Sequence, residues 1–88
     1  MPDDKLKIQK EIIEHIKLGS PALQELKKIP LDKSLVELGY LDSFGVIDVV
    51  TFMEKRWNIK IFDDDITREK MGSLNKMTTL VIQKLKSN

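Results

Sequence analysis

Apolar residues recur at helical spacing in three separate stretches of this chain, and nowhere do they alternate twice in a way that would supply a pair of strands. In the first stretch Leu6, Ile8, Ile12, Ile13 and Ile16 fall within one broad face, lysines and glutamates take the rest, and Gly19-Ser20-Pro21 stops the pattern. A helix over roughly residues 4 to 18 is predicted. The second stretch begins at Asp42-Ser43, where either side chain can cap a helix, and carries a core stripe of Val46, Ile47, Val50, Met53 and Trp57. The last follows Gly72-Ser73 and repeats Leu74, Met77, Val81 and Leu85 on one face over about residues 74 to 86. Before it, Asp63, Asp64 and Asp65 place negative charge at the start of a short helix over about residues 65 to 70. Ile59 and Ile61 alternate within Asn58 to Phe62, but with no second strand to pair against, the segment reads as loop.

Between Gly19 and Asp42 the pattern weakens and is punctuated by Pro21, Pro30 and Gly39, although Ala22 to Lys28 and Ser34 to Leu38 can each form a helical turn. Leu23, Leu26, Ile29, Leu31, Leu35, Val36 and Leu38 predict that this long connection packs over the helices as an ordered loop. The expected fold is all-α: a four-helix bundle of three longer helices and a short third one, with a long loop between the first and second. Residues 1–88 form a single domain on this reading, too small for a deep internal active site.

The chain has no cysteine, which removes disulfides and thiolate metal sites and means that any thiol chemistry must come from an attached group. The N-terminal Met1-Pro2-Asp3-Asp4-Lys5 is unlike a secretory signal, and no segment approaches the roughly 20 apolar residues of a membrane span, so a cytoplasmic protein is expected. A formal charge of +1 is too balanced to argue for nucleic-acid or membrane binding. The charge is uneven, however: the region around residues 63 to 70 is acidic, while residues 71 to 88 hold only Lys76, Lys84 and Lys86.

Phe44, Asp48, Thr51 and Lys55, spaced by four, three and four, project from a different side of the second helix than its core stripe and face solvent or a partner. Ser43, read from the residues alone, is either an ordinary N-cap or a displayed hydroxyl. The lone His15 lies near the apolar stripe of the first helix and reads as a boundary residue. Asp63 to Asp65 lack the alternating acids, central glycine and closing glutamate of a calcium loop, so no metal site is expected. Met53, Met71 and Met77 read as core packing, with a yielding acyl pocket as the lesser alternative.

The window from Glu37 to Asp48, with Gly39-Tyr40-Leu41-Asp42-Ser43-Phe44-Gly45 at its centre, resembles the attachment site of acyl carrier proteins and the related peptidyl and D-alanyl carriers. The likeness runs from about Asp32 to Leu85 and includes Glu54, Trp57 and the Asp-rich start of the third helix. It implies that Ser43 is esterified by phosphopantetheine taken from coenzyme A, and that the arm carries acyl or aminoacyl groups as thioesters. Asp42 would then serve recognition by the transferase and its metal ion, and Phe44, Asp48, Thr51 and Lys55 would touch partners. Implied partners are a phosphopantetheinyl transferase, an acyl- or aminoacyl-activating ligase, and acyl-transferring or condensing enzymes. The chain itself would be a monomeric carrier and no enzyme. Phe44 in place of leucine, two residues between Gly39 and Asp42, Gly45 after Phe44, and Lys55-Arg56 in place of acids make it more similar to D-alanyl and other stand-alone carriers than to fatty-acid carriers. Fatty-acid, polyketide or specialised acyl metabolism and aminoacyl transfer with an adenylating ligase both stay open.

Two further classes fit the residues less well. A DNA-reading helix over residues 42 to 57 would need a basic face, yet Asp42, Asp48 and Glu54 outnumber Lys55 and Arg56. A hydrolase built on Ser43 would need a base brought from afar, His15 being the only histidine, and lacks the Gly-x-Ser-x-Gly elbow.

Overall fold

The computed structural model describes the backbone of residues 2–87 and the side chains of residues 4–86. Among the described residues every regular element is helical: α1 (Pro2–Gly19), α2 (Pro21–Gln24), α3 (Ser43–Trp57), a 3-10 turn (Asp63–Asp65), α4 (Arg68–Met71) and α5 (Leu74–Ser87). The chain is all-α, as its periodicity predicts. α2 is a single turn with Pro21 at its first position, where the missing N–H costs nothing.

α1 packs against α5 and α3, and α4 packs on α5. Ile8, Ile12 and Ile16 from α1, Val49, Val50 and Met53 from α3, and Leu74, Met77, Leu80 and Val81 from α5 meet in one core. The connection after α1 joins it through Leu23, Ile29 and Leu35, which are buried, and Leu26 and Leu31, which are partly so, whereas Val36 and Leu38 stay exposed against expectation. Each such buried side chain stabilises the fold by about 1.5–3 kcal/mol relative to leaving it in water. Polar ties reinforce it: the Asn75 amide donates to the Leu31 carbonyl at 3.0 Å, and the Asn75 side chain bridges Asp32 and Gln9.

α3 ends where Asn58 turns left-handed at φ 50°, its N–H returning to the Glu54 carbonyl. Ile59 and Ile61 are both buried, and the Ile61 N–H donates to Glu54 Oε2 at 3.0 Å. The strand-like alternation therefore marks a loop that buries alternate side chains and satisfies its backbone on a glutamate.

Four details depart from the sequence reading. The short third helix is two pieces, because Thr67 caps a fresh start: its hydroxyl accepts from Lys70 N at 3.2 Å, and Ile66 between the pieces is not helical. On α3, Ile47 is exposed and Val49 takes its place inside. Ile47 lies one helical turn from Phe44 and Thr51, so it belongs to the outward row. On α1 and α5, Leu6 and Leu85 are exposed, while Leu80 and the satisfied hydroxyl of Thr78 are buried. The Asp triplet is not simply a helix-end charge: Asp63 and Asp64 face solvent, but Asp65 is buried.

Candidate functional site

The start of α3 is built by a short chain of local constraints. Gly39 holds φ 84°, a conformation that L side chains rarely adopt, and the Tyr40 N–H then returns to the Leu35 carbonyl at 2.9 Å. Asp42 follows in extended backbone as the N-cap, and its Oδ1 accepts from Gly45 N at 2.8 Å. A Cβ on Gly45 would stand 3.0 Å from Leu41 Cδ2 and 3.4 Å from Asp42 Oδ1, so glycine lets the cap approach closely. Of the two capping candidates, Asp42 does the capping. Ser43 is left as the first helical residue, exposed, with its hydroxyl bonded to no other described residue.

Ser43 lies on the edge of a cleft of about 380 Å³ whose walls include Val36, Val46, Ile47, Ile66 and Met71. Glu37 from the long connection and Arg68 from α4 also line it, and the two form an ion pair. Of Met53, Met71 and Met77, Met71 borders this cleft, whereas Met53 and Met77 are enclosed in the core.

The proposed partner stripe is only partly free. Phe44 is the most exposed large apolar residue among those described, at 84%. Asp48 Oδ2 lies 2.7 Å from His15 Nε2, and the His15 ring stacks on Phe52 at 4.1 Å. Thr51 Oγ1 donates to the Ile47 carbonyl at 3.0 Å, and Lys55 is exposed. His15, Asp48, Thr51 and Lys55 line a second cleft, of about 370 Å³, which shares no residue with that of Ser43. The structure thus brings His15 to Asp48, not to Ser43.

Asp65 is a buried carboxylate with two ion pairs. Its carboxylate pairs with Lys84 at 2.7 Å and Lys70 at 3.1 Å and accepts from Phe62 N at 3.0 Å. The bond to Lys84, then the Phe62 N–H, hold its pKa down at about 2. Its oxygens are given to two ammonium groups, and among the described residues no group of three or more acids and histidines is placed to hold a metal.

Val36, Glu37 and Ile47 share the cleft with Ser43 without having been expected there, although Ile47, four residues on, is legible as a neighbour from helical spacing alone. Nothing local announced Arg68, which arrives from a distant part of the chain.

A small all-helical chain that displays a serine at the start of its second long helix has the form of a carrier protein. Over 53 residues, 60% of its length, the chain is 30% identical to the D-alanyl carrier protein of Streptococcus suis strain 05ZYH33 and covers 67% of that protein. The D-alanyl carrier protein of strain 98HAH33 matches to the same extent. No family model matches the chain. The chain belongs to the carrier-protein family.

Proposed function

We propose that this chain carries aminoacyl or acyl groups on a phosphopantetheine arm attached to Ser43, and that it performs no chemistry of its own. The observation that carries the reading is the exposed Ser43 hydroxyl, freed because Asp42 supplies the cap. The residues present suit the group. The N–H groups of Ser43 and Phe44, at the start of a 15-residue helix, have no intrahelical acceptor, and such a helix end favours an anion.

In the attachment step the Ser43 oxygen attacks a phosphorus of the coenzyme A diphosphate. The phosphorus–oxygen bond to adenosine bisphosphate breaks, that oxygen leaves with the electron pair, and the hydroxyl proton passes to a base of the transferase. Asp42 serves the transferase and its metal ion. When bound, the arm supplies a terminal thiol that holds the cargo as a thioester. Partner enzymes meet the outward side of α3, with Phe44, Asp48, Thr51 and Lys55 as contacts.

Aminoacyl loading by an adenylating ligase is the better supported cargo, because both matched relatives are D-alanyl carrier proteins. Fatty-acid or polyketide work is the less supported one. A cytoplasmic site is in keeping with the use of coenzyme A, and among the described residues no helix is long and apolar enough to cross a membrane. Incubation with coenzyme A and a broad-specificity phosphopantetheinyl transferase tests the proposal by mass spectrometry. Wild type should gain one arm and Ser43→Ala none; a wild type left unmodified by several such transferases refutes it.

A further inference from the structure

Arg68 is the only cation among the described residues that line the Ser43 cleft, and Glu37 is the only acid. They come from segments 31 residues apart, one from the connection and one from α4, and pair with each other across that distance in the chain. Both side chains are largely in water, at 74% and 56% exposure, so the pair adds little to the stability of the fold. What the pair does achieve is placement. A freely rotating arginine would sample many rotamers, whereas one paired with a carboxylate is biased toward those that place its guanidinium at the cleft.

The guanidinium has five N–H donors in a planar fork and bonds carboxylate and phosphate oxygens with similar geometry. One carboxylate cannot use all five. A phosphodiester on Ser43 would bring a new negative charge to a cleft where Glu37 already places one, and Arg68 is the only side chain lining the cleft that can offset both.

We propose that Arg68 binds the phosphodiester formed on Ser43, and that Glu37 is a positioning residue holding Arg68 at the cleft. This rests on the carrier reading above. In the unmodified protein Arg68 pairs, among the described residues, with Glu37 alone; in the modified protein it serves two anions, so its loss matters more. Glu37 without Arg68 repels the phosphodiester. Neutralising both residues removes that repulsion.

The test compares unmodified and modified forms of the full chain, made with coenzyme A and a transferase, for wild type, Arg68→Gln, Glu37→Gln and the double variant. Thermal melting and the phosphorus NMR shift of the modified serine are read for each. Arg68→Gln is expected to lower the melting temperature of the modified form by about 3–6 °C more than that of the unmodified form, and to move the phosphorus resonance. The double variant should recover most of the melting difference while leaving the resonance displaced. If the wild type takes up no arm, the carrier reading falls and this proposal with it. If the arm is added but Arg68→Gln shifts both forms equally and leaves the resonance unmoved, the carrier reading stands and the role of Arg68 is refuted.

Discussion

The carboxylate of Asp42 accepts the amide hydrogen of Gly45 at 2.8 Å, and this bond separates two tasks that adjacent residues could have shared. Asp42 closes the first turn of α3 while Ser43 is left without a local partner. An aspartate at this place also answers the helix dipole, which favours negative charge at the N-terminus.

Asp42→Ala is expected to destabilise the protein by about 1 kcal/mol through loss of the cap, whereas Asp42→Asn should fold with nearly wild-type stability because asparagine caps as well. If Asp42 also serves the transferase, Asp42→Asn should slow arm attachment by about tenfold, a barrier change of about 1.4 kcal/mol, without lowering the melting temperature. Denaturant unfolding together with the rate of mass gain separates the two roles.

Gly39→Ala should cost about 1–2 kcal/mol. Beyond Gly39 and its two chain neighbours, no described atom lies within 4 Å of the place a Cβ would take, so the penalty comes from the backbone at φ 84°. Gly39→Asn should be milder, since asparagine tolerates the left-handed region better. Chemical denaturation of the two variants checks the order.

Asp65 ties stability to acid. Its pKa lies at about 2 in the folded protein against an ordinary value of 3.8, so its contribution is fully present above about pH 4. That contribution falls away as pH drops from about 4 through 2, because the unfolded chain takes up the proton first. Asp65→Asn should cost about 1–3 kcal/mol at neutral pH, leaving Lys84 without its carboxylate, and should flatten this part of the stability profile. Unfolding midpoints measured between pH 2 and 6 decide it.

Phe44→Ala should leave stability within about 0.5 kcal/mol of wild type, because the ring is exposed in the isolated chain. If partners meet this side of α3, the same change should raise the KM of an enzyme acting at Ser43 by about tenfold or more, as loss of a central aromatic anchor does. Ile47→Ala, on the same outward row, should follow Phe44→Ala in kind. Steady-state kinetics with the transferase and graded amounts of carrier measure both.

Much of this protein follows from local chemistry and is therefore legible in the sequence. Pro21, Gly39 and Gly72 punctuate the chain, apolar spacing marks the three long helices, and Asp42-Ser43 announces the start of α3, since caps and periodicity act within a few residues. Val46, Ile47, Val49 and Val50 are all apolar and in near succession, so their identity alone did not say which row turns inward. That was decided by where α1 and α5 pack. Thr67 was a readable cap that the row of aspartates before it obscured. Asp65 pairs with Lys70, five residues on, but gains its second and shorter ion pair only because Lys84 of α5 lies beside it, and Arg68 shares a cleft with Ser43 only because α4 borders the start of α3 there. Backbone hydrogen bonding and side-chain spacing are short-range and can be read along the chain. Burial and charge pairing depend on which distant segments share a volume, and only the packed helices determine that.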